Sequence, residues 1–144
     1  MTDEITRTLV DRARAAAAQA HAPYSGFGVG AALLLADGSI ITGCNFENAS
    51  YGMTLCAETV AISKANSDGQ LQAIREIAVA GGLAGHVGTA AEPITPCGRC
   101  RQIIKEVADL TEIDIPVHCA HATGYTTFRL SELLPHGFGP ANLK

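Results

Sequence analysis

The sequence predicts an α/β fold of three layers, with helices on both faces of a mixed sheet of about five strands. Segments with helical periodicity alternate along the chain with short runs of branched apolar residues. Asp37-Gly38 stands between two such runs, a hairpin signal at the start of the sheet. The later strand-like runs are separated by helical stretches, as crossover connections require.

A chain of 144 residues is expected to form one domain over residues 1–144, and at 47% hydrophobic residues it can build a real core. Its net charge is −4 and no block of Lys or Arg stands out, so no nucleic-acid partner is expected. No apolar run is long enough to span a bilayer. Asp3, Glu4, Arg7, Asp11, Arg12 and Arg14 near the start are not the layout of a signal peptide, and a cytoplasmic protein with no membrane partner is expected. Five cysteines in such a chain argue for thiols and metal rather than a disulfide frame.

Residues 2–20 read as a helix. Asp3 and Glu4 suit the positive end of its dipole. Ile5, Leu9, Ala13, Ala16, Ala17 and Ala20 form one apolar face, whose small alanines permit close approach of a neighbour. His21-Ala22-Pro23 breaks this helix. Gly26, Gly28 and Gly30 then alternate, but they lack the spacing of a phosphate loop and no helix follows. Residues 29–35 read as a strand and 39–45 as the returning one. The stretch 44–52, CNFENASYG, is dense in polar residues able to bond a hydroxylated ligand. Turn formation alone would account for such residues; the cysteine motifs nearby favour a ligand loop.

The second helix is expected over 56–66, with Ala57, Val60, Ala61 and Ala65 as its stripe, and Gly69 ends the segment. Residues 74–81 form an apolar third strand and 83–95 a loop rich in Gly and Ala. Pro96 fits the start of a third helix over 97–107. Residues 115–119 and 125–128 are the last two strands, with a turn at Gly124. Residues 130–134 make a helical turn that stops at Pro135.

Two stretches, TLCAETV at 54–60 and TPCGRC at 95–100, carry the chemistry. Glu58 follows Cys56 by two positions, and Cys97 and Cys100 form a C-x-x-C. Three thiolates fill three of the four positions that zinc prefers, and an open fourth marks a catalytic site. Glu58 is then placed to serve a water at that position without binding the metal. One zinc ion per chain is expected.

The pairing C-x-E with P-C-x-x-C resembles the general signature of zinc nucleobase and nucleoside deaminases. YSGFGVGAALL, GCNFENASYG, LCAET, TPCGRCRQ and the closing LSELLPHGFGP follow in order over most of the chain. Together they resemble the short-chain, homotetrameric cytidine deaminases. The resemblance implies a cytidine deaminase-like fold with Cys56, Cys97 and Cys100 as zinc ligands and Glu58 as proton shuttle. It implies that Asn45 and Glu47 hold the ribose hydroxyls, that Phe27 lines the pyrimidine pocket and that the backbone at Ala57 contacts the base. Tyr51 and Phe138 match aromatics that project into a neighbouring subunit's site, which implies a homotetramer with shared active sites.

The implied reaction is zinc-dependent hydrolysis of cytidine and 2'-deoxycytidine, a nucleoside substrate class, to uridine and 2'-deoxyuridine with release of ammonia, as in pyrimidine salvage. Glu58 would protonate N3 while C4 is attacked and then hand a proton to the departing amine. That double duty needs a pKa near the working pH, which a closed apolar pocket would raise. Thr59 departs from the Arg that many relatives carry after C-A-E. Three thiolates on one divalent cation leave a net negative charge. The helix starts at Cys56 and Cys97 are expected to offset it, with Arg99 and Arg101 close in sequence.

Cys44 and Cys119 read as small buried hydrophobes, with closure of a four-thiolate structural zinc site as the sharper alternative. His118 and His121 read as surface or packing residues; His86 and His136 carry no pattern. Three classes stay open: a zinc hydrolase, a zinc-stabilised binding module with a closed site, and a redox protein using Cys97 and Cys100. Within the first, deamination of another aminopyrimidine nucleoside such as blasticidin S is the alternative. Asn45-Phe46-Glu47 and the closing block favour cytidine.

Overall fold

Strand β1 (Phe27–Leu35) alternates between two apolar clusters: Ala31, Leu33 and Leu35 enter one, while Ala32 is in the other with Leu34 packed against it. A strand with a core on each side must be internal and covered on both faces. The computed structural model, which describes residues 2–144, shows this arrangement. β1 lies inside a five-stranded sheet of order β2-β1-β3-β4-β5. The other strands are β2 (Ile40–Cys44), β3 (Ile74–Leu83), β4 (Pro116–His121) and β5 (Gly124–Arg129). β1 pairs antiparallel with β2 and β3, β3 pairs parallel with β4, and β4 pairs antiparallel with β5. Helix α1 (Thr2–Ala17) covers one face; α2 (Ala57–Ser67), α3 (Gly98–Thr111) and the short α4 (Leu130–Leu133) cover the other. The expected three-layer fold with a mixed sheet is the one observed.

The two faces pack differently. Beneath α2 and α3 lie Leu33, Ile74, Ile77, Ile115 and Val117, met by Ile104 and Val107 of α3, all fully buried. Beneath α1 the buried sheet residues are Ala32, Ala78, Ala80 and Ala120. A Cβ at Gly30 would stand 1.9 Å from the Ala13 carbonyl oxygen, so α1 rests directly on the strand backbone, as its alanine face anticipates. On the opposite face, a Cβ at Gly43 would come within 2.6 Å of the Ala61 nitrogen and 2.8 Å of the Ala57 oxygen. That close seat fixes the first turn of α2, which carries Cys56 and Glu58 at its start.

Several boundaries differ from expectation. α1 stops at Ala17, because the N–H groups of Ala18, Gln19 and Ala20 bond to carbonyls three residues back and tighten the turn. α3 continues past 107 because Ala108 extends its buried face, and it ends where Glu112 turns left-handed at φ 57°. After the first hairpin, crossover gives the single parallel pair β3–β4 through α3. β5 returns by a second hairpin at Gly124. No helix among the described residues is long and apolar enough to cross a membrane.

Candidate active site

α2 and α3 begin beside one another. Cys56 is the N-cap of α2 and Cys97 the N-cap of α3, both with extended backbone, and Cys100 lies in the first turn of α3. Their sulfur atoms all lie within 4.8 Å of one another, with Cys56 and Cys97 at 3.7 Å. Tetrahedral zinc with Zn–S bonds of about 2.3 Å places its sulfurs roughly 3.8 Å apart, so the spacing fits that ion. All five cysteines are free. Among the described residues no other group of three or more His, Cys, Asp or Glu side chains gathers in this way, and Cys44, Cys119, His118 and His121 stand outside it. The redox reading leaves out Cys56, which the fold brings to Cys97.

The chemistry of the donors also suits a cation. Burial pushes the Cys100 thiol far up, and the nearby Glu58 charge adds to this. Burial and then the Cys97 thiol raise Cys56. At Cys97 the effect of burial is outweighed by hydrogen bonds from the Cys100 backbone N–H and the neighbouring thiols, leaving it below the usual value. Three thiolates this close form together only with a positive ion among them.

Glu58, in the first turn of α2, is 3% exposed. Burial raises its carboxyl above the usual range, against its own backbone N–H and the Cys100 thiol, which lower it. It opens on a cavity of about 270 Å³ whose lining also includes Cys56, Cys97, Ser25, Asn45 and Glu47. Phe27, Val29, Val79, Ile94 and Ala57 form the apolar wall. A wider groove of about 940 Å³ between α3 and the C-terminal segment is lined by residues of the closing block and contains none of the cysteines, Glu58, Asn45 or Glu47.

The polar residues away from the sulfurs are held by their own chain. Asn45 Oδ1 accepts the Val29 N–H at 2.8 Å, and its Nδ2 donates to the Phe27 carbonyl at 2.9 Å. The segment around Phe46 is fixed between residue 21 and residue 55: Phe46 and Leu55 exchange two 2.9 Å bonds, while His21 donates to the Asn45 carbonyl and accepts from the Glu47 N–H. Glu47 Oε1 receives the N–H groups of Tyr24 and Ser25, and Oε2 receives the Ser25 hydroxyl. Spacing gave no sign of Ser25; the available signal was the turn sequence Pro23-Tyr24-Ser25-Gly26, whose Gly26 takes φ 68°. Thr54, Val79, Ile94 and Thr95 also line the cavity without having been anticipated.

Tyr51 and Phe138 do not line this cavity in their own chain. Tyr51 is 72% exposed and its ring meets Tyr24 at 5.5 Å; Phe138 is 56% exposed, with its carbonyl bonded by Gln102. Arg99 and Arg101 do not aim at the sulfurs. Arg99 reaches the Thr54 carbonyl; Arg101 bonds the carbonyls of Pro96 and Leu133 and the Thr95 hydroxyl. The Thr59 hydroxyl instead lies 3.4 Å from the Cys100 sulfur. Cys119 is buried, as expected, and burial pushes its thiol up to about 12, whereas Cys44 is only half-buried at the end of β2. His118 is a packing residue bonded to Glu76 and Thr127 on the α1 side of the sheet.

Two helix starts that gather three cysteine sulfurs beside a cavity lined by a buried glutamate, in an α/β/α fold, define a zinc-binding enzyme of the deaminase class. Residues 3–113 match the family described as the cytidine and deoxycytidylate deaminase zinc-binding region, and the chain belongs to that family. It is 44% identical over 131 residues to a cytidine deaminase of Halalkalibacterium halodurans, covering 90% of this chain and 91% of that protein. It is 42% identical over 141 residues to one of Mycobacterium tuberculosis, covering 96% and 93%. The crystal structure of cytidine deaminase from Burkholderia pseudomallei superposes with a TM-score of 0.78 at 38% identity, over 91% of this chain and 97% of that one.

Proposed function

We propose that residues 1–144 form one zinc-dependent deaminase domain that converts cytidine and 2'-deoxycytidine to uridine and 2'-deoxyuridine, releasing ammonia. The observation that carries this is Glu58, nearly fully buried beside the three sulfurs, in a cavity whose lining also includes Asn45 and Glu47. The family description spans nucleoside and nucleotide deaminases. The lining here includes two glutamates and neither Lys nor Arg, which favours an uncharged sugar over a phosphate.

Cys56, Cys97 and Cys100 hold the zinc, which supplies Lewis-acid activation of a water at neutral pH. Glu58 moves the protons. As a carboxylate it takes one from the attacking water and delivers it to N3 of the pyrimidine, where negative charge would otherwise build. It then takes the remaining proton from the hydroxyl now on C4 and gives it to the exocyclic amine; the C–N bond breaks, C4 becomes a carbonyl and ammonia leaves. The burial of Glu58 shifts the carboxyl upward, toward the protonated form that the second transfer needs. Phe27 stacks the base, the Ala57 backbone contacts its edge, and Asn45 and Glu47 take the sugar hydroxyls. The helix termini and the Thr59 hydroxyl offset the negative charge of the thiolates.

The exposed rings of Tyr51 and Phe138 support a homotetramer in which each completes a neighbour's cavity. Free thiols throughout support a cytoplasmic setting, with pyrimidine salvage as the role. Ammonia release from cytidine, 2'-deoxycytidine, CMP and blasticidin S tests the substrate assignment. Turnover of the two nucleosides is expected; preference for CMP or blasticidin S would overturn the assignment. Light scattering of the active enzyme tests the tetramer, and a fully active monomer would contradict it.

A further inference from the structure

The Glu47 carboxylate is capped by a turn of its own chain. The N–H groups of Tyr24 and Ser25 donate to Oε1 at 3.0 and 3.2 Å, and the Ser25 hydroxyl donates to Oε2. The same hydroxyl oxygen accepts the Phe27 N–H at 3.0 Å. One atom therefore joins this carboxylate to the backbone of the aromatic in the cavity wall. A carboxylate offers about four acceptor positions. Both positions on Oε1 are filled and one on Oε2 is filled, so one remains, on the oxygen that Ser25 holds. The hydroxyl has only one proton and gives it to Glu47, so it acts on a ligand through that carboxylate.

We infer that Ser25 is a positioning residue: by occupying one position on Glu47 Oε2 it fixes the direction of the one acceptor position left for a hydroxyl of the bound sugar, and it ties that contact to Phe27 in the cavity wall. The inference rests on the nucleoside reading of the cavity. With both oxygens tethered, the carboxylate cannot rotate to follow a misplaced ligand. The Ser25 hydroxyl, together with the two backbone N–H groups and the His21 charge, also holds Glu47 below the usual carboxylate range, which keeps it an acceptor. A serine that merely caps its own turn would stabilise every ligand equally.

Two substrate pairs separate these roles: turnover of cytidine against 2',3'-dideoxycytidine, and calorimetric binding of uridine against 2',3'-dideoxyuridine. Ser25→Ala is expected to shrink the preference for the hydroxylated member by about tenfold, the order of one charge-assisted hydrogen bond. It should raise KM for cytidine with kcat little changed, and leave the dideoxy ligands nearly unaffected. Ser25→Thr, which keeps the hydroxyl, should restore the preference. In a Glu47→Gln background Ser25→Ala should add almost nothing. If the alanine variant does not fold, Ser25→Cys, with a weak donor of similar shape, reads the same preference. Equal weakening of both members of a pair, or a fall in kcat with the preference intact, overturns the inference. Absence of ammonia from cytidine with the wild type would sink the deaminase reading alone, because the uridine pair still tests Ser25. Wild-type protein that binds the uridine pair equally, or not at all, would overturn the Ser25 role as well.

Discussion

At the metal end of the cavity, three sulfurs and a buried carboxyl crowd together, and Cys56, Cys100 and Glu58 are pushed away from ionisation. At what we propose is the sugar end, Asn45 spends half of its hydrogen-bonding capacity on the backbone of β1, and Glu47 three of its about four acceptor positions on the 24–25 turn. The metal end is at ease only when a cation arrives, and its residues are free to do chemistry. The Asn45 and Glu47 end is largely tethered beforehand and, on the proposed reading, would bind with what capacity is left. Removing a metal-end residue should therefore strike turnover or metal content, whereas removing a sugar-end residue should strike binding and the fold together.

The sharpest way to break this contrast is Glu58→Gln. It is expected to keep zinc and fold while kcat falls on the order of a hundred- to ten-thousand-fold. Wild-type turnover in this variant would remove Glu58 from the mechanism. Next in size, Cys97→Ala or Cys100→Ala should lose zinc and with it activity, read by metal analysis. Cys44→Ala and Cys119→Ala should retain full zinc content, although Cys119→Ala leaves a small void in the core. Zinc loss from either would reinstate a closed four-thiolate site.

The sugar end should respond differently. Asn45→Ala orphans the Val29 N–H and the Phe27 carbonyl, and is expected to cost about 1–3 kcal/mol of stability while raising KM. Thermal denaturation alongside kinetics checks this, and a rise in KM with no loss of stability would show that the amide is not structural. The smallest effect is expected at Thr59. Thr59→Ala removes one hydroxyl donor to Cys100, but the helix termini remain. Turnover should fall less than about tenfold, equivalent to roughly 1.4 kcal/mol of barrier, and the acidic limb of the pH–rate profile should stay within about one unit. A hundredfold loss would transfer the neutralising role to Thr59.

The contrast also explains what could be read from the sequence. The metal end was legible because Cys97 and Cys100 share one helix start, where spacing along the chain fixes spacing in space, and because C-x-E with P-C-x-x-C is a family pairing that joins Cys56 to them. The layers were legible because β1 and β3 bury residues on both faces. The sugar end was only half legible. Asn45 and Glu47 were found through the polar loop and the family blocks, yet their engagement by Phe27, Val29 and Ser25 depends on side-chain direction and on the 24–25 turn, which the Asp37-Gly38 hairpin signal does not give. Arg99 and Arg101 illustrate the same gap, since nearness in sequence to Cys100 says nothing about where a long side chain points. α3 outran its expected end because no glycine or proline stops it, and the left-handed turn falls on Glu112.

Zinc-dependent release of ammonia from cytidine tests the central claim most directly. Metal-free protein titrated with zinc should gain activity in proportion to metal bound and reach its plateau at one ion per chain. Activity that persists without metal, or zinc bound at one per chain with no ammonia released, would contradict the account.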